Sequence, residues 1–182
     1  HAVATLCHQH FLDLDQFDEG MIAGSLRGAR DYFRSVHAYD REARWPVYIW
    51  NSLPPSAGSI IHPHVQLMVE REPVPELRLI LEKARHYYEA TGKNYWDDLL
   101  EAEKRAGERY IGSVGNIGLI ASFAPRGFRE VTVMLPGVRS FGSLDDETIS
   151  VLAGCFTRLL KCYKSMGVGS FNLVSFSSFP DE

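Results

Sequence analysis

The sequence predicts an α+β fold, in which neighbouring antiparallel strands are covered by helices. Alternating or β-branched runs at 2–7, 45–50 and 60–69 predict three strands, and apolar residues at helical spacing between 15 and 37 predict a helix between the first two. A similar order of strand, strand, helix and strand follows from residue 110 onward. The second half therefore resembles the first in its order of elements, although this pattern alone does not establish a repeat.

The first helix and the strands around it have clear local signals. "WPVYIW" at 45–50 is aromatic and β-branched, which favours a strand, and "NSLPPSAGS" at 51–59 is a loop rich in Pro, Ser and Gly. The first helix carries its apolar side chains on one face, at Ile22, Leu26, Ala29, Phe33 and Val36.

The remaining elements follow from breakers and caps. "EPVPE" at 72–76 ends a strand and begins a helix, and Asn94 is placed to cap the next helix. The segments 110–124 and 129–135 predict two strands joined at "PRG". Ser143 with Asp146 resembles a capping box that starts a further helix, and "FNLVSFS" at 171–177 predicts the last strand.

Composition excludes several classes of protein. The 182 residues carry a net charge of −4 and no run of Lys or Arg, which argues against duplex nucleic acid or an anionic membrane as a partner. Three cysteines without a CxxC pair predict a reducing, cytoplasmic location, and no signal peptide or spanning apolar run is present. The chain begins within a predicted strand at His1 and stops at "FPDE", so we expect a fragment of a longer protein.

The stretch "SIIHPHVQL" at 59–67 carries the most informative chemistry. Because side chains on a strand alternate between faces, His62, His64 and Gln66 are predicted to share one face and the apolar residues between them the other, buried face. Pro63 lacks a backbone donor, so we expect this strand to lie at an edge or to be interrupted there.

Two imidazoles in phase with an amide fit phosphoryl chemistry. An imidazole can attack phosphorus and form a covalent intermediate, while a neighbouring amide can hold a phosphoryl oxygen. The preceding loop, which ends at Ser59, offers hydroxyls and backbone N–H groups for the same anion, and Asn51 could orient the histidine or a ribose. His62 could instead be a metal ligand, since imidazole binds zinc readily.

These residues also carry a resemblance. The pattern N-x6-G-S-x-x-H-P-H-x-Q, from Asn51 to Gln66, resembles the active-site stretch of the galactose-1-phosphate uridylyltransferase family in the histidine-triad superfamily. Weaker similarities lie in "LCHQH", in "ASFAPRGFREVTVMLP" and in "LDDETISVLAGCFTRLLKCY", so the resemblance extends over most of the chain.

The resemblance implies a function and a set of roles. His64 would be the nucleophile that takes a uridylyl group from a UDP-hexose and passes it to another sugar phosphate in a ping-pong reaction. Asn51, Ser59 and Gln66 would bind substrate, with Ser59 and Gln66 on the phosphoryl group. His62 and His10 would be ligands of a zinc ion, as in some members.

The resemblance also implies an architecture. We expect a histidine-triad-like repeat at 1–72, a helical connection at 73–109 and a truncated second repeat at 110–182, in a protein that pairs as a homodimer. Two alternatives stay open at this point. One is a phosphorylase or hydrolase of nucleotide conjugates, which uses the same histidine with phosphate or water as acceptor, and the other is a non-catalytic module that binds nucleotide-sugars.

Overall fold

A computed structural model of the chain describes residues 1–179. Its helices are α1 (Glu19–Tyr39), α2 (Pro75–Thr91), α3 (Tyr95–Ala106) and α4 (Asp146–Ser165). Its strands are β1 (Ala2–Thr5), β2 (Trp45–Ser52), β3 (His64–Glu70), β4 (Tyr110–Val114), β5 (Ile117–Ala121), β6 (Val131–Met134) and β7 (Phe171–Phe176). Within residues 1–179 every strand pair is antiparallel, which confirms the predicted α+β fold. No helix in this part of the chain is long and apolar enough to cross a membrane.

The chain divides into two compact units. The first joins residues 1–72 to the chain from Arg139 onward, and the second comprises residues 73–138. β7 pairs with β2 and α4 packs on α1, which attaches the late segment to the first unit. The repeat at 1–72, the helical connection at 73–109 and the truncated repeat at 110–182 stay a prediction.

The first unit is built on a four-stranded sheet with the strand order β1-β3-β2-β7. α1 packs on one face of this sheet, and α4 packs against α1. Burying each of the core side chains contributes roughly 1.5–3 kcal/mol, so the amphipathic face of α1 holds it on the sheet. The buried residues include Ile22, Leu26 and Phe33 from α1, Tyr48 and Trp50 from β2, and Val65 and Leu67 from β3.

The first unit contains the same local arrangement twice. A 3₁₀ helix closed by a capping box comes first, at Leu14–Gln16 and again at Phe141–Ser143. An aspartate then caps a long helix by accepting a hydrogen bond from a backbone N–H three residues later, Asp18 on α1 and Asp145 on α4. A strand follows each helix, β2 or β7. This repeated order supports the expectation of two related repeats.

The start of α4 differs by a few residues from the prediction. Its N-cap is Asp145, whose extended backbone lets the carboxylate accept a 2.7 Å hydrogen bond from the backbone N–H of Thr148. Ser143 instead closes the capping box of the preceding 3₁₀ helix together with Ser140. The hydrogen bond from Thr148 holds the pKa of the Asp145 carboxyl below its ordinary value.

The second unit combines α2 and α3 with the three-stranded sheet β4-β5-β6. Leu100 of α3 forms its core with Ile120 and Met134, and Asn94 caps α3 as predicted. The segment 110–124, predicted as one strand, is a hairpin of β4 and β5. Its turn passes through Gly115 at φ 58°, a conformation that glycine adopts without steric cost.

A buried tyrosine links α1 to the sheet of the first unit. Tyr48 of β2 is 1% exposed, and its hydroxyl lies 2.9 Å from the hydroxyl of Ser25 on α1. Burial raises the pKa of the Tyr48 phenol, so the group stays protonated and neutral across the physiological range.

We expect the Tyr48→Phe substitution to lower the free energy of unfolding by about 0.5–1.5 kcal/mol, because Ser25 loses its partner in a half-buried position. Urea unfolding followed by circular dichroism measures this difference. Tyr39 is the matched control, since it is 94% exposed and its hydroxyl can be removed at little cost. An equal loss in Tyr39→Phe and Tyr48→Phe would contradict the assignment.

Candidate active site

The strand that carries the histidine motif is shorter than predicted and lies inside the sheet. β3 begins at His64, so His62 and Pro63 precede it. It lies between β1 and β2, so of the two expected arrangements, an edge strand or an interruption at Pro63, the edge strand is not the one observed. The expected interruption at Pro63 is observed, because proline has no N–H to give to a ladder. The Pro63 carbonyl instead accepts a 3.0 Å hydrogen bond from the backbone N–H of Leu6.

Polar side chains from three strands lie in a row on the face of the sheet opposite α1. Val65 and Leu67 face α1, so His64 and Gln66 face the other side, as predicted; His62 lies before the strand and does not share this alternation. Ile49 of β2 is paired with Gln66, and continuing that antiparallel register places Asn51 beside His64.

The row continues on the other side of Asn51. There the register pairs Asn51 with Asn172 of β7, so the three side chains follow one another across β7, β2 and β3.

His64 is held in one tautomer by a backbone carbonyl. Its side chain is buried, at 6% exposure, and its Nδ1 lies 2.8 Å from the carbonyl oxygen of His62. Because a carbonyl can only accept, Nδ1 carries the proton and donates, and in the neutral ring Nε2 keeps its lone pair. The geometry thus leaves Nε2 as the atom available for nucleophilic attack.

His62 has the complementary arrangement. Its Nε2 lies 2.8 Å from the carbonyl oxygen of Cys7 and therefore donates to it, which leaves the Nδ1 lone pair as an acceptor in the neutral ring. That Nδ1 lies at hydrogen-bond distance, 3.3 Å, from Nδ1 of His10, and the two rings meet edge to face. The structure therefore brings together the two histidines that the sequence suggested as metal ligands.

A tight loop, residues 53–58, closes over the end of β2. The backbone N–H groups of Ser56 and Gly58 both donate to the carbonyl of Leu53, at 3.1 and 3.0 Å. A Cβ at Gly58 would lie 2.8 Å from the carbonyl oxygen of Asn51, so only glycine fits there. Leu53 and Ala57 have positive φ angles, 69° and 60°, which residues other than glycine adopt only with strain. Each costs roughly 1 kcal/mol or more, so contacts around the loop must compensate for that strain.

The other predicted site residues lie nearby but outside the cleft beside His64. Asn51, His62 and His64 line this cleft together with the apolar side chains of Trp50, Ile60 and Ile61. Ser59 and Gln66 are exposed and are not part of its lining. The structure thus brings together three of the predicted residues at one cleft and places Ser59 on the loop before it and Gln66 further along β3.

Sequence reasoning missed Asn172. Its Nδ2 lies 2.8 Å from Oδ1 of Asn51 and 2.7 Å from the carbonyl oxygen of Ser56. The only local signal is an asparagine inside a predicted strand, where that residue is disfavoured. Its position beside Asn51 depends on the pairing of β2 with β7, which no local pattern predicts.

The chain was compared with solved structures. A uridylyltransferase superposes with a TM-score of 0.86 at 21% identity, covering 98% of this chain and 57% of that one. The fold is that of the uridylyltransferases. A GALT-like protein of Arabidopsis thaliana gives a TM-score of 0.84 at 20% identity over 99% of this chain and 59% of that one. An ADP-glucose phosphorylase of the same organism, with bound ADP-glucose, gives 0.81 at 19% identity over 97% of this chain and 56% of that one.

The chain is also similar in sequence to a protein of an archaeon. An uncharacterized protein of Archaeoglobus fulgidus is 31% identical over 175 residues, which is 96% of this chain and 51% of that protein. No protein-family model matches the chain. The chain spans about half the length of this relative and less than two thirds of each uridylyltransferase-like structure. The resemblance drawn from residues 51–66 is therefore confirmed as a likeness of fold.

We expect Gly58→Ala to lower the free energy of unfolding by about 1–3 kcal/mol, because its Cβ would press on backbone atoms that cannot move aside. Thermal or urea unfolding measures the loss. Gly169→Ala is the control, since a Cβ there meets no atom within 4 Å beyond its chain neighbours. If Gly58→Ala is as stable as Gly169→Ala, the loop is looser than described.

Proposed function

We propose that the full-length protein moves a nucleoside monophosphate, UMP in the first instance, between a nucleotide-sugar and a hexose 1-phosphate through a covalent nucleotidyl-His64. The observation that carries this proposal is the hydrogen bond from Nδ1 of His64 to the His62 carbonyl. In the neutral ring this bond leaves the Nε2 lone pair free, and Asn51 lines the same small cleft as His64. The fold shared with uridylyltransferases supports the same assignment.

The reaction proceeds in two displacements. In the first, the Nε2 lone pair of His64 attacks the α-phosphorus of the nucleotide-sugar, a P–N bond forms, and the P–O bond to the sugar phosphate breaks. The departing hexose 1-phosphate keeps the electron pair of that bond. In the second, a phosphate oxygen of the acceptor sugar attacks the same phosphorus and the P–N electrons return to Nε2.

The surrounding groups stabilise the charges that develop. Attack makes the imidazole cationic, and the donation from Nδ1 to the His62 carbonyl strengthens as that charge grows. Side-chain amides of Asn51 and Gln66 and the hydroxyl of Ser59 would donate to the phosphoryl oxygens. Such donors stabilise the transition state when they are fixed in place before the reaction.

A phosphorylase is the second candidate. In that reaction inorganic phosphate, rather than a sugar phosphate, would accept the nucleotidyl group from His64. The observation that favours it is the likeness to an ADP-glucose phosphorylase with bound ADP-glucose. The base, the acceptor, the homodimer and the cytoplasmic location all stay predictions.

We also propose that His10 and His62 contribute to a zinc site. A tetrahedral zinc with Zn–N bonds of about 2.0–2.1 Å places two nitrogens roughly 3.3 Å apart, and the two Nδ1 atoms are 3.3 Å apart. The Cys7 carbonyl fixes the His62 tautomer that a metal requires. Residues 1–179 contain no group of three or more potential ligands, so water or residues outside this range would complete the site. No step of the reaction passes through this ion.

We expect the purified full-length protein to contain zinc that is lost in His10→Ala and in His62→Ala. Metal content per chain, measured by inductively coupled plasma mass spectrometry, gives the answer independently of activity. His86→Ala is the control, because His86 lies exposed on α2. Equal zinc content in all three variants would show that His10 and His62 do not bind the metal.

We expect a nucleotidyl adduct on the full-length protein when it is mixed with UDP-glucose, UDP-galactose or ADP-glucose without an acceptor. Intact-protein mass spectrometry detects it, and the donor that labels the protein identifies the base. His64→Ala should abolish the adduct, whereas His86→Ala should retain it. Subsequent addition of hexose 1-phosphate or of inorganic phosphate should discharge the adduct and so distinguish transferase from phosphorylase. An adduct that persists in His64→Ala would rule out this nucleophile.

A further inference from the structure

Asn172 uses both of its amide hydrogens to join the candidate site to the neighbouring strand. One bond, of 2.8 Å, goes to Oδ1 of Asn51 and the other, of 2.7 Å, goes to the carbonyl oxygen of Ser56. A carboxamide has two N–H donors on one nitrogen, so this nitrogen is fully used. Asn172 belongs to β7, more than one hundred residues along the chain from both partners.

The bond to Ser56 fixes the orientation of two amides in succession. Because the Ser56 oxygen is a carbonyl and can only accept, the group of Asn172 that faces it must be the amide nitrogen. That nitrogen then requires an acceptor on Asn51, so Asn51 turns its oxygen toward β7. The Nδ2 donors of Asn51 consequently point away from β7.

The same residue anchors the strained loop 53–58. Ser56 is 7% exposed and lies in the middle of this loop, between Leu53 and Ala57, which both have positive φ angles. The loop closes on itself through Leu53, and Gly58 contacts the backbone of Asn51. A side-chain bond to the Ser56 carbonyl therefore attaches the loop to the sheet from outside the loop.

We propose that Asn172 is a positioning residue. It holds Asn51 and the loop 53–58 in the orientation in which their donors bind the transferred phosphoryl group beside His64. It touches no reacting atom; it acts by aiming the Asn51 donors and by holding the loop that leads to Ser59. This role rests on the function proposed above. Donors fixed in advance are worth more than mobile ones, and a misplacement of about 1 Å can cost roughly 100-fold in rate.

The first experiment tests, without any substrate, whether the hydrogen bonds of Asn172 hold the loop 53–58. Hydrogen–deuterium exchange on the full-length protein should show about 3- to 10-fold faster exchange in peptides covering residues 51–60 for Asn172→Ala and Asn172→Asp, as expected when one hydrogen bond is lost. Peptides from α1 should be unchanged. Val174→Ala is the control, because Val174 lies on the same strand and the same face and is 47% exposed. Unchanged exchange rates in both Asn172 variants would show that Asn172 does not hold the loop.

The second experiment tests the role in the reaction. The single-turnover rate of adduct formation is measured with whichever of UDP-glucose, UDP-galactose and ADP-glucose labels the wild type. Asn172→Asp keeps the size of the side chain but offers no N–H donor, so it should slow the adduct roughly 10- to 100-fold, with Val174→Ala unchanged. Asn51→Ala should slow it too. The double variant Asn51→Ala/Asn172→Asp should be little slower than the slower single variant, because one residue acts through the other.

The outcomes separate the two proposals. A normal adduct rate in Asn172→Asp, or fully multiplicative losses in the double variant, would overturn the positioning role while leaving His64 as the nucleophile. A wild-type protein that forms no adduct with any of the three donors would overturn the proposed function and with it the role of Asn172 in the reaction. In that case the exchange experiment still shows whether Asn172 holds the loop.

Discussion

The antiparallel pairing of β2 with β7 is the contact on which the first unit and its site depend. It runs over six residue pairs, from Val47 opposite Phe176 to Ser52 opposite Phe171, and it ends where the loop 53–58 begins. Because side chains alternate along both strands, this register alone decides that Asn172 faces Asn51 rather than α1. A slip of one residue would turn Asn172 into the core and leave both the loop and Asn51 without their donor. The register of the sheet thus determines which side chains meet at the candidate site.

At the candidate site, backbone carbonyls determine which side-chain nitrogen atoms carry a hydrogen. The carbonyl of His62 fixes the proton of His64, the carbonyl of Cys7 fixes that of His62, and the carbonyl of Ser56 fixes the amide of Asn172. In each case an atom that can only accept decides which side-chain atom carries the hydrogen. A site built this way depends on the path of the chain between Cys7 and His64 more than on ion pairs. The proline between the histidines suits that path, since it has no N–H that needs a partner and its carbonyl accepts from the Leu6 N–H.

Much of this arrangement is encoded locally and could be predicted. His64 and Gln66 share a face because their spacing is two, and Asn94 caps α3 because it precedes a helical pattern. The predictions differ from the structure where a turn or the pairing of distant segments determines the fold. The turn at Gly115 divides an apolar run into two strands, β4 and β5. β3 lies inside the sheet because β1, from the start of the chain, pairs with its outer side. Asn172 could not be found from sequence, because the residues that it contacts lie more than one hundred positions away along the chain.

The pairing of β2 with β7 also has a consequence for how the protein is made. All of residues 73–138 are synthesised between β3 and β7, so a growing chain contains His64 long before it contains Asn172. Contacts between distant segments form late, because a long loop must close before they add stability. A ribosome-bound or prematurely terminated chain would therefore carry the histidine on a sheet that still exposes one side of β2. In that intermediate β2 is an additional open edge, at which aggregation and chaperone binding would be favoured.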